Sequence, residues 1–261
     1  MQILSLAYNY LLYRLKSFRL HGVHSPFVFD LYENVIRHDG QYRAYQEIET
    51  LRKQLLQETK VIAVTDLGAG SRTKASPSRA VRNIAATSAK PAKYAQLLFR
   101  LVNHFQPATV LELGTSLGLT TCYLAAARSQ GHVYTFEGCP NLAAEATRHF
   151  RQLHLRNIRL VPGHLDQSLP AALEKLPSVD FVYFDGNHRY EPTMRYFEAC
   201  LAHRTEHSVF IVDDIYWSPE MEKAWQEICR HPEVTISIDL FQLGLIFFRR
   251  NQPKQHFTLW Y

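Results

Sequence analysis

Beyond Pro91 the chain alternates short apolar runs with longer amphipathic ones. Runs rich in Val, Ile, Leu and Phe predict strands over 108–113, 131–137, 157–161, 179–184 and 208–213. Between them, apolar positions three and four residues apart predict helices over 92–105, 117–129, 140–154, 190–203 and 218–230. Strands joined through helices imply a parallel sheet covered on both faces, an α/β, doubly wound arrangement. The ending differs. EVTISIDLF and QLGLIFFRR, within 233–249, follow each other with no helix between them, so one of these two strands runs antiparallel to its neighbour.

Residues 1–60 read as a helical N-terminal extension. Leu4, Leu11, Leu12, Leu15 and Phe18 keep helical spacing, and a second helix is expected around Tyr45–Leu56. His21, Gly22 and the Ser25-Pro26 pair mark a turn between them. Residues 61–90 read as a basic linker or lid, because SRTKASPSRAVRNIAATSAK is small and polar and lacks a clear apolar face. A third region, 91–261, then carries the sheet.

Composition narrows the classes. With 46% hydrophobic and 20% charged residues the chain is neither disordered nor fibrous. No run approaches the roughly 18 apolar residues of a transmembrane helix, and the start lacks the order of a signal peptide. Cys122, Cys139, Cys200 and Cys229 form no CxxC pair, which disfavours a disulfide framework or zinc site and fits a reducing cytoplasm. Residues 1–90 hold 13 Lys/Arg against 7 Asp/Glu, giving +6 of the net +5; residues 91–261, with 16 against 17, give −1. From Leu67 to Leu111 there is no acid, while Arg72, Lys74, Arg79, Arg82, Lys90, Lys93 and Arg100 are basic. Such a stretch either meets an anionic partner or is a solvated face.

The first sheet strand runs into ATVLELGTSLGLTTCYLA. A strand, Gly114, a tight turn and a helix place backbone N–H groups at a ligand's edge. The dinucleotide fingerprint G-x-G-x-x-G fails, since Ser116 and Leu119 replace its second and third glycines. A ligand without phosphate needs less clearance, and S-adenosylmethionine is one. Glu137 ends the next strand, where an acid can accept both ribose hydroxyls. Glu112 precedes the loop, where its charge could face the cofactor's ammonium or sulfonium. Glu112, Gly114, Gly118 and Glu137 thus form an ordered cofactor set. A second glycine run, VIAVTDLGAGSR, has no acid at the ribose distance, so Asp66–Ser71 reads as a turn leading to the lid.

VDFVYFDGNHRYE sets Asp185 at the end of the fourth strand, and SVFIVDDIYW sets Asp213 and Asp214 at the end of the fifth. Strand ends in open parallel sheets converge on a ligand crevice. Three carboxylates there could hold Mg2+ or another divalent cation, lowering the pKa of a bound hydroxyl. His188 could instead take the proton directly, since imidazole titrates near about pH 6.5. Arg189, Tyr190, Tyr216 and Trp217 could wall an acceptor pocket.

These segments resemble the class I S-adenosylmethionine-dependent methyltransferases over about residues 92–250. VLELGTSLGLTTCYLA resembles that group's first motif and VYTFEGCPN its acidic second one. FVYFDGNHRYE is similar to the D-G-x-H-x-Y segment of a bacterial small-molecule O-methyltransferase branch, and IVDDIYW to the metal-binding stretch of the catechol and caffeoyl-CoA type. The resemblance implies a Rossmann-like, seven-stranded sheet with a reversed last strand. It also implies Gly114, Ser116 and Glu137 at the cofactor, and Asp185, Asp213 and Asp214 at the metal. Where the relatives have asparagine, lysine and an acid, this chain has Asp214, His188 and His164, with Asp166 nearby. The expected activity is O-methylation of a small or amphiphilic acceptor. Its alternatives are methylation of RNA or another nucleic acid, and a non-catalytic binder. A homodimer through the N-terminal helices is also expected.

Overall fold

The structure, a computed structural model, describes residues 2–17, 24–65 and 78–261, with side chains from Leu6 onward. In chain order the first elements are α1 (Gln2–Lys16), α2 (Pro26–Leu31), α3 (Arg43–Gln57), β1 (Val61–Ala63), β2 (Ser78–Ala80) and α4 (Val81–Ser88). There follow α5 (Ala92–Phe105), β3 (Thr109–Leu113), α6 (Leu119–Ala127), β4 (His132–Glu137), α7 (Pro140–Gln152), β5 (Ile158–Pro162) and α8 (Leu165–Leu173). The chain ends with β6 (Val179–Phe184), α9 (Tyr190–Leu201), β7 (Arg204–Asp213), α10 (Pro219–Arg230), β8 (Ile236–Asp239), β9 (Leu243–Phe247) and β10 (Gln255–Thr258). They divide into two compact units, 39–175 and 1–38 with 176–261. The expected 1–60 extension therefore falls across both.

In the unit 39–175, β3, β4 and β5 pair in parallel, with Leu113 opposite Phe136 and Glu137 opposite Pro162. Their apolar runs are buried because crossover helices cover them. Almost every residue of α6 is buried. Tyr45 of α3 packs edge-on against Phe99, 5.0 Å between ring centroids, and lies 5.7 Å from Tyr123. Residues 78–88, expected to be a linker without an apolar face, instead form β2 and α4. Val81, Ile84 and Ala85 supply the missing face at helical spacing. Lys90 and Arg100 of the basic stretch are buried as well. Arg72, Lys74, the Asp66–Ser71 turn, His21 and Gly22 lie outside the described residues.

In the other unit β6 and β7 are parallel, while β9 runs antiparallel to both β7 and β8. This is the reversal expected from two strands without an intervening helix. The strand that closes the chain is β10, parallel to β8. The expectation of seven strands with the last reversed is thus corrected: apart from the β1–β2 hairpin the described residues hold eight, and the reversed one is not last. QHFT is too short and too polar to have announced itself as a strand. The start of the chain folds onto this end: the Tyr13 hydroxyl donates to the Leu259 carbonyl at 2.6 Å, and that of Tyr32 to the Trp260 carbonyl at 2.8 Å. The architecture is α/β with a mostly parallel sheet. Among the described residues no helix is long and apolar enough to cross a membrane.

Candidate functional site

The loop from β3 to α6 is tightly constrained. Gly114, Ser116 and Gly118 have φ of 110°, 49° and 77°, in the left-handed region. Gly118 is required twice over, because a Cβ there would stand 2.5 Å from Phe150 Cε1 of α7. The N–H groups of Gly114 and Thr115 both donate to the Phe136 carbonyl, at 3.2 and 3.1 Å, pinning the loop to β4. Glu137 completes it. Its Oε2 accepts from Ser116 N–H at 2.7 Å and its Oε1 from Cys139 N–H at 2.8 Å. Gly114, Ser116, Gly118 and Glu137 are therefore brought together at one loop.

Glu112 is placed differently. It is fully buried, and its Oε2 accepts from the hydroxyls of Thr121 and, at 2.6 Å, Thr135. The Thr135 hydroxyl also meets that of Thr115 at 2.6 Å. Two buried hydroxyl donors hold this carboxylate within the core, braced beneath the loop rather than at its open edge. His164, at the position expected to carry an acid, caps α8: its Nδ1 accepts from Asp166 N–H at 3.2 Å.

The second cluster lies within the other unit. Asp185, His188 and Asp213 each offer a ligand atom, all within 4.8 Å of one another. His188 Nε2 is 3.5 Å from Asp185 Oδ1, and both side chains keep about a fifth of their surface exposed, 21% and 20%. The expected trio of Asp185, Asp213 and Asp214 is thus rearranged, with the imidazole grouped in place of Asp214. Asp214 has φ 49°; its N–H donates to the Gln242 carbonyl at 2.7 Å and its carbonyl accepts from Trp217 N–H at 2.8 Å. Burial disfavours a charged His188 ring, but the hydrogen bond and charge of Asp185 and the charges of Asp214 and Asp213 outweigh it and raise its pKa to about 9. The neighbouring carboxylates thus favour the protonated ring over the neutral one. Trp217 stands beside it, 6.3 Å between ring centroids.

Two residues escaped the sequence reading. Tyr183, fully buried, has its phenol pKa pushed up by burial and by the carboxylates of Asp185, Asp213 and Asp214. The signal was available: two residues before Asp185 on a strand means the same face. His149 of α7 is also fully buried, and nothing in the α7 sequence singled it out.

Residues 111–215, from within β3 through the acid cluster, match the family described as "Methyltransferase domain". The fold is shared with solved structures of methyltransferases. The SAH-bound methyltransferase PaMTH1 of Podospora anserina aligns at TM-score 0.61 and 12% identity, over 86% of this chain and 97% of that one. An O-methyltransferase from Bacillus cereus in complex with SAH aligns at 0.57 and 17%, over 84% and 96%. TomG from Streptomyces achromogenes, an O-methyltransferase involved in tomaymycin synthesis and bound to SAM, aligns at 0.57 and 16%, over 85% and 95%. No curated protein sequence matches. Within residues 111–215 the glycine loop follows β3 and Glu137 ends β4, while Asp185 follows β6 and Asp213 ends β7.

Proposed function

We propose that the protein transfers the methyl group of S-adenosylmethionine to an oxygen of a small or amphiphilic acceptor. The observation that carries this reading is the Glu137 carboxylate bound to the Ser116 amide of a left-handed loop. A carboxylate has about four acceptor sites, so its two amide bonds are compatible with accepting ribose hydroxyls. Gly114 and Ser116 present the loop edge to the nucleoside without the clearance a pyrophosphate would need. The transfer itself asks mainly for alignment of sulfur, methyl and acceptor oxygen, with water excluded.

At the second cluster Asp185, His188 and Asp213 would hold a divalent cation. Two carboxylates and one imidazole suit it, and the nitrogen donor favours a cation such as Mn2+ over Mg2+. When bound, such a cation supplies a lowered pKa for an acceptor hydroxyl. In the alternative without a cation, His188 in its neutral form accepts the hydroxyl proton directly. Asp185 and Asp213 fix the ring and the acceptor. Trp217 supplies an apolar wall for a flat acceptor.

Two finer readings accompany this one. Free cysteines, three of them buried, fit a cytoplasmic protein. A homodimer forms through α1, where Tyr8, Leu11 and Leu15 are 61%, 57% and 75% exposed; a monomer by light scattering would remove it. The decisive experiment for the activity is calorimetric titration with S-adenosylhomocysteine, with and without Mn2+. Micromolar binding is expected, and absence of binding under both conditions would overturn the reading.

A further inference from the structure

We propose that His149 is a positioning residue that holds the loop between β3 and α6 in its cofactor-binding shape, an inference that rests on the cofactor reading of that loop. Leu117 stands between two left-handed residues, Ser116 and Gly118, so its carbonyl is turned away from the bonding pattern of the helix that follows. A buried carbonyl of this kind needs a donor. His149 Nδ1 lies 2.8 Å from it. The other ring nitrogen, Nε2, is 3.2 Å from an Arg148 guanidinium nitrogen. Guanidinium only donates, so Nε2 is the acceptor and Nδ1 carries the hydrogen aimed at Leu117.

The tautomer is locked from outside the loop. Arg148 donates twice to Glu145 Oε2, at 3.0 and 2.8 Å, and Lys60 bonds the other oxygen of that carboxylate. Burial keeps the ring neutral; the Leu117 bond opposes this, as does Glu145, while Arg148 and Lys60 add to it. The next residue, Phe150, closes on Gly118. Two peptide groups of the loop, separated by one other, are therefore gripped from two sides: that of the Ser116 N–H by Glu137 and that of the Leu117 carbonyl by His149. Loss of the His149 bond frees the 117–118 peptide to rotate and removes the restraint on the C-terminal side of the Ser116 amide.

Calorimetry with S-adenosylhomocysteine on full-length variants tests this, alongside thermal melts without ligand. The amide nitrogen of asparagine falls near the place of Nδ1, whereas that of glutamine falls near Nε2. His149→Asn should bind within about threefold of the wild type, and His149→Phe at least about tenfold more weakly, the loss expected for one hydrogen bond. A merely structural role would lower the melting temperatures of both and leave their affinities alike; equal affinity in the two variants overturns the proposal. If His149→Phe does not fold, His149→Gln replaces it with the same expectation against His149→Asn. A wild type that fails to bind S-adenosylhomocysteine overturns the cofactor reading and this inference together. A wild type that binds while His149→Phe binds equally well overturns this inference alone.

Discussion

The Ser116 amide and the Glu137 carboxylate, 2.7 Å apart, join the first strand's loop to the end of the second. The same carboxylate takes the N–H of Cys139, the residue that caps α7. One anionic side chain thus fixes the backbone on either side of the expected ribose position. A charged acceptor is needed for this, because hydrogen bonds to an ionised group are about twice as strong as neutral ones.

Glu137→Gln should therefore weaken S-adenosylhomocysteine binding by roughly tenfold to a hundredfold, matching about 1.5–3 kcal/mol for bonds to a charged group. Calorimetry reads this directly. An affinity within twofold of the wild type would mean that the carboxylate only ties the loop.

Gly118→Ala should destabilise the fold by about 1–3 kcal/mol, the usual range for overpacking. The new Cβ would meet the Phe150 ring 2.5 Å away at a φ of 77° that alanine resists. Chemical denaturation measures the difference. A neutral result would show that α7 can retreat from the loop.

His149 gives the stability a pH dependence of known sign. Its folded pKa is lowered from 6.5, chiefly by burial, so the folded protein binds fewer protons than the unfolded chain below that pH. The contribution is complete above 6.5 and is lost as the pH falls toward the folded value. Melting temperatures should drop on acidification below 6.5 more steeply for the wild type than for His149→Asn. Parallel curves would place the titrating group elsewhere.

His188→Ala should cut turnover by about a hundredfold or more, the range of general acid–base contributions, while leaving S-adenosylhomocysteine affinity unchanged. Turnover at the wild-type rate would remove His188 from proton transfer.

Mn2+ at about a hundred times its dissociation constant should stabilise the wild type by roughly 2.7 kcal/mol. Asp213→Asn should abolish that gain in thermal melts. Equal stabilisation of both proteins would mean the ion binds away from Asp185, His188 and Asp213.

Much of this was legible in the residues. The strands β3 to β7 and most covering helices follow from apolar period, and the reversal at β9 from two strands lacking a helix between them. The loop glycines announce themselves because left-handed backbone excludes most side chains. The carboxylates do so because strand ends are where a parallel sheet offers ligands a crevice. Where the reading erred, the pattern was local and weak. Val81, Ile84 and Ala85 make a helical face among so many small polar residues that composition hid it, and β10 carries too few apolar positions to stand out.

The sequence by itself determined the order of strands and helices and the residue types set at the strand ends. It could do so because periodicity and turn chemistry act over a few neighbouring positions. Only the tertiary structure decided that Glu112 is held by Thr121 and Thr135, that His188 rather than Asp214 joins Asp185 and Asp213, and that His149 reaches the Leu117 carbonyl. Each of those outcomes depends on which side chains from distant segments compete for one buried donor, acceptor or charge. That competition is settled by packing in space, where separation along the chain carries no weight.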